Sequence, residues 1–138
     1  MVAWVVGLTV IPETATFVEL AARSAFSLLG GASNPEAFAE RAAELNMPML
    51  AIADVFDLGA AVRFVRACEG AGVRPLVAGE VAVVAPRARF GLVLLCETIV
   101  GYHNLSALIT RARTRHPRGF PRLGLLDLEG RTEGLVCL

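Results

Sequence analysis

Apolar positions along this chain fall into two rhythms. Short continuous apolar runs occur in MPMLAIAD (residues 47–54), in Arg74–Ala78, in VAVVA (81–85) and in FGLVLLC (90–96). Each is too short for a typical helix and lies beside turn residues, so each reads as a strand. Between them the apolar residues recur every three or four positions. AFAERAAELN (37–46) places Phe38, Ala42 and Leu45 on one stripe, with Glu40, Arg41 and Glu44 turned to solvent. Leu58–Glu69 does the same with Ala61, Phe64, Val65 and Cys68, and a third helix from near Thr98 carries Tyr102, Leu105, Leu108 and Ile109 on its inner side.

The punctuation agrees with that reading. Ser33-Asn34-Pro35-Glu36 starts the first helix, either as a Ser33/Glu36 capping box or with Asn34 as the cap and Pro35 at the first helical position. Asn46 stops it. Asp57 caps the second helix, Gly70 and Gly72 end it, and Pro86-Arg87-Ala88-Arg89 turns one strand into the next. Thr16–Leu20 is expected as the first strand of the main unit, Leu125–Glu129 as a short helix and Leu135–Leu138 as a last strand. Alternating strands and helices imply an α/β fold with parallel strands covered by helices.

A chain of 138 residues fits one domain but is short for an eight-unit barrel. Residues 1–16 begin MVAWVVGLTVIP, without a basic leader or cleavage signature and too short to span a bilayer, so they read as an extension or extra strand. The apolar ending VCL suits a chain cut inside a larger fold. No repeat or linker divides 17–138.

Thirteen arginines and no lysine balance 13 acids, which excludes a general nucleic-acid coat. Cys68, Cys96 and Cys137 lack zinc-site spacing and read as reduced thiols of a cytoplasmic chain. Ser24 and Ser27 lack a His–Asp arrangement, His103 and His116 lack neighbouring ligands, and Gly30-Gly31 lacks a P-loop lysine. Arg111, Arg113, Arg115, Arg118 and Arg122 form a basic sector with little aromatic interleaving. It is either an electrostatic surface for DNA or an acidic protein, or a solvated helix face, and direct DNA contact stays open. Asp54 and Glu80 lie at strand ends, as pocket acids or as carboxylates satisfying turn amides and arginine.

Three stretches, FVELAARSAFSLLGGASNPEAFAERAAELNMPMLAIAD, FDLGAAVRFVRACEGAGVRPLVAGEVAV and FGLVLLCETIVGYHNLSALITRAR, followed by PRLGLLDLEG and GLVCL, together resemble the amino-terminal PHP (polymerase and histidinol phosphatase) domain of bacterial DnaE-type DNA polymerases, most closely the error-prone subgroup. The resemblance implies a distorted parallel β/α barrel, incomplete here, whose metal-competent members gather His, Asp and Glu ligands at strand ends. By that resemblance Ala21 and Arg23 stand where a His-x-His pair belongs. Val55 replaces a histidine beside Asp54, Gly91 replaces another, and the acidic Glu80 remains. Gly30 stands where a related SxLDGA-like motif carries aspartate.

What the resemblance implies is therefore a metal-ligand-depleted domain with a structural or core-positioning role and no cofactor in the isolated chain. Its partners would be the remainder of a DNA polymerase or polymerase-associated proteins, with no membrane. The parent would carry out DNA-templated synthesis with divalent metal held elsewhere. Arg23 would pair with Asp54 or Glu80, its fixed charge repelling a cation. Two other readings stand beside this one: a small divalent-metal phosphoesterase using Asp54 and Glu80, and an independent protein-binding module.

Overall fold

The computed structural model describes residues 17–138. In chain order they form α1 (Pro35–Glu44), β1 (Met49–Val55), α2 (Ala61–Ala71), β2 (Arg74–Ala85), β3 (Ala88–Cys96), α3 (Ile99–Arg115), β4 (Leu123–Gly124), a 3-10 turn (Leu125–Leu128) and β5 (Leu135–Cys137). Among the described residues the sheet is open, with order β1-β2-β3-β5 and β4 pairing β2. The β1–β2 and β2–β4 pairs are parallel, and the β2–β3 hairpin and β3–β5 pair are antiparallel. This is a mixed α/β fold with a partial, unclosed barrel sheet.

The expected first strand, Thr16–Leu20, does not form among its described residues 17–20; just beyond it Ala22 makes a single parallel bridge to Ile52, and Thr16 and the amino-terminal extension lie outside the described residues. Even so, this segment is hydrogen-bonded to β1 at two points. Ala51 N–H donates to the Glu19 carbonyl at 2.9 Å, and Ala53 N–H to the Ala22 carbonyl at 2.7 Å. The two strands expected at Arg74–Ala78 and VAVVA are one continuous strand, because Gly79 and Glu80 keep their register against both neighbours.

Strand alternation divides the interior. Leu50 and Ile52 of β1 pack with Ala39, Ala42, Phe64 and Cys68 of α1 and α2. Ala51 and Ala53 point the other way and join Ala78 and Leu95. Val81 and Val83 of β2 meet Leu105, Leu108, Ile109 and Ala112 of α3.

Local chemistry departs from the expected pattern at four places. Asn34 occupies the N-cap position of α1 without a side-chain cap bond and Pro35 opens the helix; no capping box forms, and Glu36 instead takes a two-pronged ion pair from Arg63 of α2 at 2.8 Å. Leu45, expected on the buried stripe, is 47% exposed, since α1 has ended and Asn46 adopts the left-handed φ of 53°. The second helix starts at Ala61 rather than Leu58. Asp57 spends its carboxylate on Gly59 N–H at 2.6 Å, a local turn rather than a cap. It also runs through Gly70 and ends at Gly72, φ 72°. Tyr102 is half-buried on an outward hollow of α3 and stacks edgewise on His103; the buried polar residue of this helix is Asn104, whose amide donates to the Glu133 carbonyl at 2.9 Å.

Candidate functional site

The register that pairs β1 with β2 sets Asp54 opposite Gly79 and Val55 opposite Glu80. Paired residues share a face and successive residues alternate, so Asp54 and Glu80 project to opposite sides of the sheet. The two acids that the sequence singled out together are therefore separated by the sheet itself.

Asp54 faces the helix side and is buried, 1% exposed. One carboxylate oxygen accepts the Ser24 backbone N–H at 2.8 Å and the Ser27 hydroxyl at 2.6 Å; the other accepts the Ser24 hydroxyl at 2.7 Å. Each hydroxyl is used twice, because Ser24 Oγ accepts Phe26 N–H at 3.1 Å and Ser27 Oγ accepts Val55 N–H at 3.0 Å. The carboxylate thus fastens the 24–27 turn to the end of β1. Sequence reasoning treated these serines only as nucleophile candidates; their spacing gave no sign of their part in satisfying a buried acid.

Glu80 faces the other side. Arg23 reaches it from the chain beside β1, with Nε donating to Oε2 at 2.9 Å and Nη2 donating to the same oxygen. Of the two acids open to Arg23, the fold selects Glu80. Ala21, Arg23, Glu80, Gly91 and Val93 line a cavity of about 430 Å3. A neighbouring cavity of about 240 Å3 shares Glu80 and Gly91 and adds Val55, Arg89 and Phe120. Five of the six positions selected by family resemblance therefore gather on one face, and Asp54 lies apart. A Cβ on Gly91 would stand 3.5 Å from Glu80 Oε1, so a longer side chain there would point at this carboxylate.

These residues do not fit a divalent ion. Ala21, Val55 and Gly91 offer no lone pair, the Glu80 carboxylate is held by a permanent cation, and Asp54 is saturated on the far face. Among the described residues, no group of three or more His, Cys, Asp or Glu side chains is placed to hold a metal.

The basic sector is largely answered within the fold. Arg111 and Arg115 both contact Asp127 at 3.2 Å, and Arg113 contacts Asp57 at 3.1 Å. The Gly124 N–H, then Arg111, hold the Asp127 carboxyl below its usual range. Arg118 and Arg122 make no ion pair among the described residues. Nor is any described helix long and apolar enough to cross a membrane.

Comparison with known proteins places this geometry. The PHP-domain family model matches residues 19–138. The chain is 32% identical over 135 residues to the DNA polymerase III subunit alpha of Chlamydia muridarum, and 40% identical over 117 residues to the error-prone DNA polymerase of Burkholderia mallei. These alignments cover 89% and 78% of this chain but only 11% of each relative. Among solved structures, an amidohydrolase from Chromobacterium violaceum, with bound sulfate and no metal, superposes with a TM-score of 0.61 at 26% identity, over 72% of this chain and 34% of that one.

Proposed function

Because the chain belongs to the PHP-domain family and is related to the DnaE-type DNA polymerases, we propose that it is a metal-ligand-depleted PHP domain of an error-prone polymerase, positioning the polymerase core rather than hydrolysing phosphoesters. The observation that carries this reading is the guanidinium of Arg23 seated on Glu80, on the face where Ala21, Val55 and Gly91 also gather. A hydrolytic ion needs several convergent lone pairs and an open position for water. This face supplies a single carboxylate already engaged by a cation, leaving packing and docking as its remaining uses.

The assignment to the error-prone subgroup draws on the higher identity to the Burkholderia mallei enzyme, although that alignment is the shorter. The chain spans 11% of these relatives, so synthesis of DNA and the metal that supports it belong to the parent. In this reading residues 17–138 are a partial PHP-like domain of a cytoplasmic polymerase, and its partners are the remaining polymerase domains or proteins bound to them.

Two measurements test this. Reading the coding sequence on both sides should show one frame continuing into polymerase domains; a stop codon directly after Leu138 would remove the parent. Calorimetric titration of the chain with Mn2+ or Zn2+ should give no saturable binding, and phosphomonoesters should not turn over. Tight binding of two ions with metal-dependent phosphate release, lost in Glu80→Gln, would replace the structural role with catalysis.

A further inference from the structure

The arginines of the basic sector, from the last turns of α3 to Arg122, divide into two groups. Arg111, Arg113 and Arg115 are neutralised by Asp127 and Asp57, whereas Arg118 and Arg122 have no acidic partner among the described residues. Arg87 and Arg89, at the turn between β2 and β3, have none either. In a chain whose charges balance 13 to 13, these four unanswered guanidiniums form a local excess.

The fold brings them to one place. β3 and β4 flank β2 on its two sides, so that Val84 pairs with both Arg89 and Gly124. The backbones on either side of a central strand lie only about 10 Å apart. Between Arg118 and Arg122 in the chain stands Phe120, 70% exposed. It closes a hydrogen-bonded turn in which its N–H donates to the Pro117 carbonyl at 3.1 Å, and Gly119 takes the positive φ of 87° that the third position of a type II turn requires. The turn thus leaves the ring exposed. Phe120 and Arg89 line the same 240 Å3 cavity, and Arg118 lines an adjoining one of about 400 Å3 that shares Gly119 and Pro121. The two acids that line these cavities are already engaged, Glu80 by Arg23 and Asp57 by Arg113.

We propose that this surface binds single-stranded nucleic acid, with a base stacked on Phe120 and backbone phosphates on Arg87, Arg89, Arg118 and Arg122. An exposed ring set between guanidiniums matches the alternation of flat base and anionic phosphate along a single strand. In a duplex the bases are stacked inside and would leave the ring without a partner. The inference goes beyond a core-positioning role and does not depend on the polymerase context, because it rests on the charges and the turn alone.

The test is fluorescence anisotropy of a fluorescein-labelled oligothymidine titrated with the 138-residue chain across a series of NaCl concentrations. Binding should weaken as salt rises, and Arg89→Ala or Arg122→Ala should each lower the salt slope by about one. Phe120→Ala should weaken binding about tenfold while leaving the slope unchanged. Arg66→Ala, an exposed arginine of α2, should bind as the parent does, and circular dichroism should show every variant folded. The proposal is overturned if anisotropy does not rise at low salt or if Arg66→Ala loses as much as Arg89→Ala. It is equally overturned if polyglutamate displaces the oligonucleotide as effectively as unlabelled oligothymidine, since the surface would then be one for acidic protein.

Discussion

The side chain of Arg23 crosses the end of β1 to reach Glu80 of β2, joining two segments 57 residues apart. Arg23 is 44% exposed and Glu80 24% exposed, so water screens the pair and its contribution is at most about 1 kcal/mol. Arg23→Ala and Glu80→Gln should each move the urea midpoint slightly, and the double variant should lose less than the sum of the two.

Asp54 should behave very differently. Replacing it with Ala strands one backbone N–H and two serine hydroxyls in the interior, at a cost of about 3 kcal/mol or more. Ser27→Ala, which removes one of those bonds and the acceptor of Val55 N–H, should cost about half as much. Equilibrium urea unfolding checks both, and equal losses for Asp54→Ala and Arg23→Ala would contradict the geometry.

Two glycines should respond to alanine with opposite signs. A Cβ on Gly101 would lie 1.8 Å from the Gly134 carbonyl oxygen, a backbone atom with no rotamer to yield. Gly101→Ala should therefore destabilise by about 2 kcal/mol or more, prising the start of α3 from the segment before β5. Gly70 lies inside α2 with nothing within 4 Å of its added Cβ. Gly70→Ala should stabilise by about 0.5–1 kcal/mol, and paired thermal melts will show the difference in direction.

Burial pushes both the Cys68 and Cys96 thiols up to about 11, while Cys137 is exposed. At mildly alkaline pH a thiol reagent should label Cys137 alone in the folded chain and all three cysteines in denaturant. Because both folded-state values lie above the ordinary thiol value of 9.0, the unfolded chain releases these protons first. Stability should thus be undiminished by these groups below pH 9 and decline between pH 9 and about 11. Cys68→Ala should flatten that decline, as measured by urea midpoints across the range.

Much of the architecture was legible wherever one residue type has one local meaning. Pro35 could only open a helix, Asn46 could take the left-handed conformation that closes it, and Thr98 caps α3 by accepting Gly101 N–H at 3.2 Å. Asp57 misled because the same carboxylate can cap a helix or close a two-residue turn, and only the backbone path decides between them. At the site, a pairing of Arg23 with one of the acids was readable, since its charge cannot be removed. Which acid it chose was not, because that depends on the register of β1 against β2 and so on which face each side chain takes. Partners distant along the chain, such as Arg63 with Glu36 and Asn104 with Glu133, left no trace in local spacing.

The serine cradle around Asp54 anchors the 24–27 turn from the side of the sheet opposite Glu80. The 24–27 turn and the Arg23–Glu80 pair are therefore fastened on opposite faces of the sheet. Changes confined to the Glu80 face leave that turn fastened, so the contour it presents can persist while the side chains across the sheet vary.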